Sequence, residues 1–189
     1  MTPFLLYVRI AVELYQKRAT GPWSSVIVAA IVTLALVAGV IVFATRRRSG
    51  RERYASIGRW VAIPTLTLWC AYAAFYLARA NAKTDDVRAY YSRVHPVIRV
   101  ALATWILFDR DLVITDSRRV AADYPRMGLP INDRTQHYEQ RDGWVHAVDL
   151  RTVGRPEVRN RVLQGYFMLM GFSTLRHVGS ADHLHVQLR

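Results

Sequence analysis

Two histidines and an aspartate, His137, Asp149 and His185, are the side-chain types that hold a zinc ion while leaving one position open for water. The end of the chain, Asp182-His183-Leu184-His185, sets a carboxylate three residues before the last of these histidines. A carboxylate so placed suits a general base working beside a metal. His183 and His185 are two apart and share a strand face. His183 therefore lines the same site, either stabilising the transition state or supporting a ligand. His177 reads as structural or supporting, and His95 as an ordinary helix residue.

Residues far apart in sequence meet only if rigid elements bring them together, and the pattern from Asp85 onward is that of an α+β domain over 85–189. Asp85 and Asp86 carry negative charge where a helix N-terminus favours it. Apolar residues then recur at helical spacing from Val87 to Trp105. Leu112 to Thr115 reads as a short buried strand, and the polar stretch from Ser117 to Thr135 as a loop broken by Gly128 and Pro130. Trp144 to Leu150 reads as a strand that carries Asp149. Pro156 opens a helix to about Met170, which Gly171 stops. Ser173–His177 and His183–Leu188 close the pattern as two strands around Gly179-Ser180. This order sets His137 on a loop or strand edge, and Asp149 and His185 on strands.

The first 84 residues have a different character. Trp23 to Thr45 contains no charged residue before Arg46, and a second apolar run extends from Trp60 to Ala78. Each is about the ~20 residues that cross a bilayer core as a helix. The sequence thus predicts an amphipathic segment at 1–22 and a first transmembrane helix at 23–45. A basic loop at 46–59 and a second transmembrane helix at 60–82 follow. The net charge of +12 divides as +9 over residues 1–84 and +3 over 85–189, with its densest run between the apolar segments. Arg46, Arg47, Arg48, Arg51, Arg53 and Arg59 face only Glu52 there. Short loops rich in arginine stay in the cytoplasm. That rule predicts a two-pass cytoplasmic (inner) membrane protein with both termini and the C-terminal domain on the extracytoplasmic side.

Residues 3–16 carry Arg9 and Glu13 and are too short to span, so they are expected to lie on the membrane as an interfacial helix. No small-residue cleavage site follows a short apolar core, so no removable signal peptide is expected. The single cysteine, Cys70, allows no internal disulfide. Trp144, Tyr166 and Phe167 fit a core; no basic stripe is interleaved with them, so nucleic acid is not an expected partner.

Thr135-Gln136-His137-Tyr138-Glu139, Ala147-Val148-Asp149-Leu150 and Asp182-His183-Leu184-His185 together resemble the zinc-dependent D-alanyl-D-alanine carboxypeptidase and L-alanyl-D-glutamate endopeptidase family. That family includes VanY-type enzymes and phage endolysins, and shares its fold with the hedgehog signalling domain. The resemblance covers most of 85–189 and none of the apolar part. It implies a zinc peptidase domain preceded by a two-helix transmembrane hairpin. It further implies Zn2+ on His137, Asp149 and His185, and Asp182 as general base. Val113-Ile114-Thr115-Asp116-Ser117-Arg118 resembles the strand and turn that deliver an arginine to the substrate carboxylate, which makes Arg118 the substrate-binding candidate. The activity implied is metallopeptidase hydrolysis of peptidoglycan stem peptides, as carboxypeptidase or endopeptidase.

The chain departs from the family at one place. His137 and Asp149 are twelve apart where the family has a tight loop, and this leaves His146 as a rival first ligand. Strand alternation favours His137, because residues three apart on a strand point to opposite faces. Two other readings stand beside the peptidase: a catalytically silent zinc-binding domain that recognises wall or partner proteins, and a holin-like membrane protein fused to a peptidase domain. Retention of Asp182 favours catalysis, and the absence of charge inside the apolar runs disfavours a conducting pore.

Overall fold

The computed structural model describes residues 2–46, 60–61, 63–128, 130–179 and 182–188. Its helices are α1 (Thr2–Arg18), α2 (Pro22–Arg46), α3 (Ile63–Phe75), α4 (Asp85–Ala89), α5 (Pro96–Ile106), α6 (Asp123–Arg126) and α7 (Glu157–Met170). Its strands are β1 (Ile114–Asp116), β2 (Ala147–Arg151), β3 (Ser173–His177) and β4 (His183–Gln187), with 3-10 turns at Arg79–Asn81 and Tyr90–Arg93. All pairings are antiparallel, in the order β1-β2-β4-β3. The fold is thus mixed, with one sheet and helices packed on it.

Alternation along β2 and β4 divides the sheet by chemistry. Val148, Leu150, Leu184 and Val186 are fully buried in the core, together with Val97, Ile98 and Leu102 of α5 and Leu163 and Phe167 of α7. Asp149, His183 and His185 fall on the opposite face. The helical pattern from Asp85 to Leu107 divides in two, because Pro96 pushes the residue before it out of helical geometry. His95 becomes the N-cap of α5, its Nδ1 accepting the Val97 N–H at 3.2 Å. α7 ends at Gly171, whose φ of +100° closes the last turn.

The N-terminal helix differs from its expected place on a membrane surface. Tyr7, Val8, Ala11 and Val12 are at most 1% exposed and belong to the same core as the sheet. Each large apolar side chain buried this way contributes roughly 1.5–3 kcal/mol. Polar contacts fix the seat: Arg9 Nη1 donates to the Leu169 carbonyl at 3.2 Å and Gln16 Nε2 to the Gly171 carbonyl at 3.2 Å. Both occupy the C-terminal end of α7, where carbonyls lack helical partners and a cation is favoured. The apolar face of α1 is thus covered by protein.

Pro22–Phe43 of α2 is the one helix among the described residues long and apolar enough to cross a membrane. Ile27, Ile31, Leu36, Val40 and Phe43 along it are each at least half exposed. Of the second apolar run the described residues include the 13-residue helix α3, and Trp60 and Val61 in π-helical geometry. A helix of 13 residues is about 20 Å long, short of the ~30 Å hydrocarbon core. By helix length the described residues support one span rather than two. Residues 47–59 of the expected basic loop lie outside the described residues. Trp23 at the start of α2 stacks on Phe75 at the end of α3, with ring centroids 5.2 Å apart, so these two ends lie together beside the sheet domain.

The seat of α1 makes Gly171 sensitive. A Cβ there would come within 2.8 Å of Arg9 Nη1 and 3.0 Å of Val12 Cγ1, at a φ that side chains rarely adopt. Gly171→Ala is therefore expected to lower unfolding stability by about 1 kcal/mol or more, read by denaturation of the full chain in detergent. An unchanged midpoint would mean that α1 is not seated against α7 in this way.

Candidate metal centre

Strand register creates the centre. β2 and β4 pair so that Asp149 lies directly opposite His185, and their side chains meet across the sheet. His185 Nδ1 is 2.8 Å from Asp149 Oδ1. His137 arrives from the loop before β2, held by its backbone: its carbonyl accepts the Arg119 N–H at 2.9 Å, and its N–H donates to Thr135 Oγ1 at 3.3 Å. Its Nε2 then lies 3.2 Å from His185 Nδ1 and 3.3 Å from Asp149 Oδ1. The three ligand atoms lie within 4.8 Å of one another.

Hydrogen bonds set the tautomers in the sense that a cation needs. His137 Nδ1–H donates to the Ser117 carbonyl at 2.6 Å, so its Nε2 presents a lone pair. His185 Nε2–H donates to Gln187 Oε1 at 3.0 Å, which turns Nδ1 toward the centre. Asp149 divides its oxygens: Oδ2 accepts from Arg119 Nη2 at 2.6 Å, and Oδ1 faces the histidines. Burial alone would raise the Asp149 pKa. The close His137 ring, the bond from His185 and the Arg119 charge instead hold it far below the usual carboxylate range. Burial pulls His185 down, but its bonds to Asp149 and Gln187 outweigh that and raise it overall. Without metal, a proton on His185 occupies the place that a divalent cation would take. Two lone-pair nitrogens and one ionised oxygen fit zinc by donor type.

The other candidates fall at different distances from this centre. His183 Nε2 is 3.8 Å from Asp149 Oδ1, and His177 stacks on His183 at 4.5 Å, so both line the same face. Asp182, expected as the base, does not join them. It accepts from Thr152 Oγ1 at 2.6 Å and pairs with Arg176, which also reaches Glu157 of α7 at 3.6 Å. Arg176 is registered against Leu184, whose face is the core side of the sheet. The carboxylate is therefore engaged away from the metal ligands. Arg118 pairs with Glu139 at 2.8 Å and lies 5.0 Å above the Tyr90 ring, without touching the centre. Arg119 is the arginine that does. Arg118, Arg119, Tyr138 and Glu139 border an open cleft of about 320 Å³. Nothing in the sequence ranks Arg119 above its neighbour; Gln187 was legible, two residues beyond His185 on the same strand face.

His146, the rival first ligand, belongs to a second cluster. Its Nε2 lies 2.9 Å from Asp142 Oδ2 and 3.5 Å from the Tyr15 hydroxyl, with His95 alongside. The tautomer of His95 disfavours a metal there. His95 Nδ1 already accepts the Val97 N–H, which leaves the ring proton on Nε2, the atom facing the cluster. Burial, followed by the neighbouring His146, pushes the His95 pKa down to about 3, so the ring is neutral. The cluster holds α1 to the domain through Tyr15.

Two outcomes follow. His137→Ala, Asp149→Ala and His185→Ala should each abolish stoichiometric zinc in the purified full chain, whereas His146→Ala should retain it, read by elemental analysis. Zinc kept by His137→Ala and lost by His146→Ala would reverse the ligand choice. In the metal-free protein the depressed Asp149 stabilises the fold above about pH 4 and loses that effect as pH falls. The raised His185 stabilises below about pH 6.5 and loses its effect as pH rises. Metal-free wild type should thus lose stability as pH rises above about 6.5, a loss that His185→Gln removes, and zinc should bind more tightly as pH rises. Comparison with known proteins adds no relative: no family model, no curated protein and no solved structure matches this chain.

Proposed function

We propose that the chain is a membrane-anchored, zinc-dependent peptidase that hydrolyses stem peptides of peptidoglycan. The observation that carries this reading is the convergence of His137, Asp149 and His185, with both histidines bonded outward through one ring nitrogen and turned to the centre through the other. A zinc ion held there would supply an activated water and polarise a peptide carbonyl. The cleft beside Arg118 and Arg119 suits a substrate with a free carboxylate, as wall stem peptides have. Arg118 can exchange Glu139 for that carboxylate, while Arg119 stays committed to Asp116 and Asp149. The exposed apolar face of α2 would hold the domain at the outer surface of the membrane, within reach of the wall.

The proton has two candidate carriers. Asp182 can accept it only by leaving Arg176 and Thr152, whereas His183 already borders the ligands. The engagement of Asp182 also favours a second reading, a zinc-binding domain that recognises wall or partner molecules without cutting them. A holin-like role has no comparable support.

The test is incubation of the zinc-loaded full chain in detergent with purified muropeptides, followed by mass spectrometry. Wild type should cleave a carboxypeptidase or endopeptidase substrate. Loss of a positioned base lowers the rate by roughly 10²–10⁴-fold. That loss should appear in either Asp182→Asn or His183→Gln with zinc content retained, and the variant that shows it identifies the base. No cleavage of any wall peptide by a zinc-loaded wild type would select the recognition domain instead.

A further inference from the structure

A cavity of about 400 Å³ lies between α3 and α5, remote from the metal centre. That volume is within the ~300–1,000 Å³ common for small-molecule sites. Its walls are apolar and aromatic: Trp69, Tyr72 and Tyr76 on one side, Ile106 and Leu107 on the other, with Arg110 at the mouth. The segment bearing Arg110 is fixed, because Asn81 Nδ2 donates to the Arg110 carbonyl at 2.9 Å and to the Leu112 carbonyl at 2.7 Å. The cation itself has no carboxylate partner among the described residues. Its neighbours Asp109 and Asp111 are taken by Arg155 and Arg159. Apolar surface continues beyond the rim, with Phe75 69%, Leu107 45% and Phe108 39% exposed.

We infer that this cavity holds one acyl chain of an anionic phospholipid whose phosphate pairs with Arg110. The inference rests on reading α2 as a membrane anchor, with the exposed side of α3 (Leu68, Tyr72, Phe75) at the bilayer interface. An apolar slot with one unneutralised cation at its mouth complements an amphiphile with an apolar tail and an anionic head. Tryptophan and tyrosine favour the level where lipid tails meet headgroups, and Trp69, Tyr72 and Tyr76 follow one another in ring contact along the second half of α3 and just past it. Arg110 at that level attracts an anionic headgroup and gains less from a zwitterionic one, whose ammonium group offsets its phosphate.

Trp69 supplies the probe, because brominated acyl chains quench tryptophan fluorescence only on contact. The full chain would be placed in phosphatidylcholine nanodiscs with rising fractions of brominated phosphatidylglycerol, using Trp69→Phe to isolate the Trp69 signal. Saturable quenching at low phosphatidylglycerol fraction is expected. Arg110→Glu should raise the fraction required by about tenfold, and Ala103→Phe, which fills the slot, should abolish the saturable part. Equal quenching by brominated phosphatidylcholine, or no effect of Arg110→Glu, would overturn the inference; so would displacement by inorganic phosphate alone. Release of the chain from membranes by a carbonate wash would overturn the membrane reading as well. Retention in the membrane without lipid preference would defeat only the site.

Discussion

A carboxylate 3% exposed, as Asp149 is, keeps its charge inside a protein only if surrounding groups replace the water it has lost. Breaking such an arrangement by removing one partner costs about 3–5 kcal/mol. Asp149 receives its partners from two parts of the chain: His183 and His185 on β4, and Arg119 and His137 from the segment between β1 and β2. Each must be held in register, which ties the loop between β1 and β2 to the sheet. The Arg119 N–H to the His137 carbonyl and the His137 ring to the Ser117 carbonyl are the bonds that do this. The segments at Ser117–Arg119 and at His137 are thus held together around one buried charge.

The sheet makes this compatible with a stable core. Its alternation sends Val148, Leu150, Leu184 and Val186 to the helices and the polar set to the opposite face. A slip of one residue between β2 and β4 would bury the histidines and expose the valines and leucines. Apolar packing therefore fixes the metal-ligand geometry indirectly, through the register of β2 and β4.

The two closing strands, α7 and its glycine stop were all legible, because each depends on local periodicity and on Pro156 and Gly171. The grouping of His137 with Asp149 and His185 was legible from residue type and strand parity. The positions of Asp182 and Arg119 were not. Asp182 precedes β4, and its direction depends on Arg176 and Thr152, partners that spacing in the sequence does not reveal. Arg118 and Arg119 are equivalent in sequence, and only the fold of the turn decides which one reaches Asp149. The N-terminal helix misled for a similar reason. Its apolar stripe was plain, but a stripe specifies burial and not what covers it.

The bond from Arg9 to the Leu169 carbonyl joins residues 160 apart in the chain. α1 precedes α7 in the chain yet finds its place only after it, since its seat does not exist until α7 has formed and Gly171 has turned. Until then Tyr7, Val8 and Val12 have no protein surface to bury against, and a lipid surface is the nearest apolar refuge. The part of the core between α1 and α7 would thus close last.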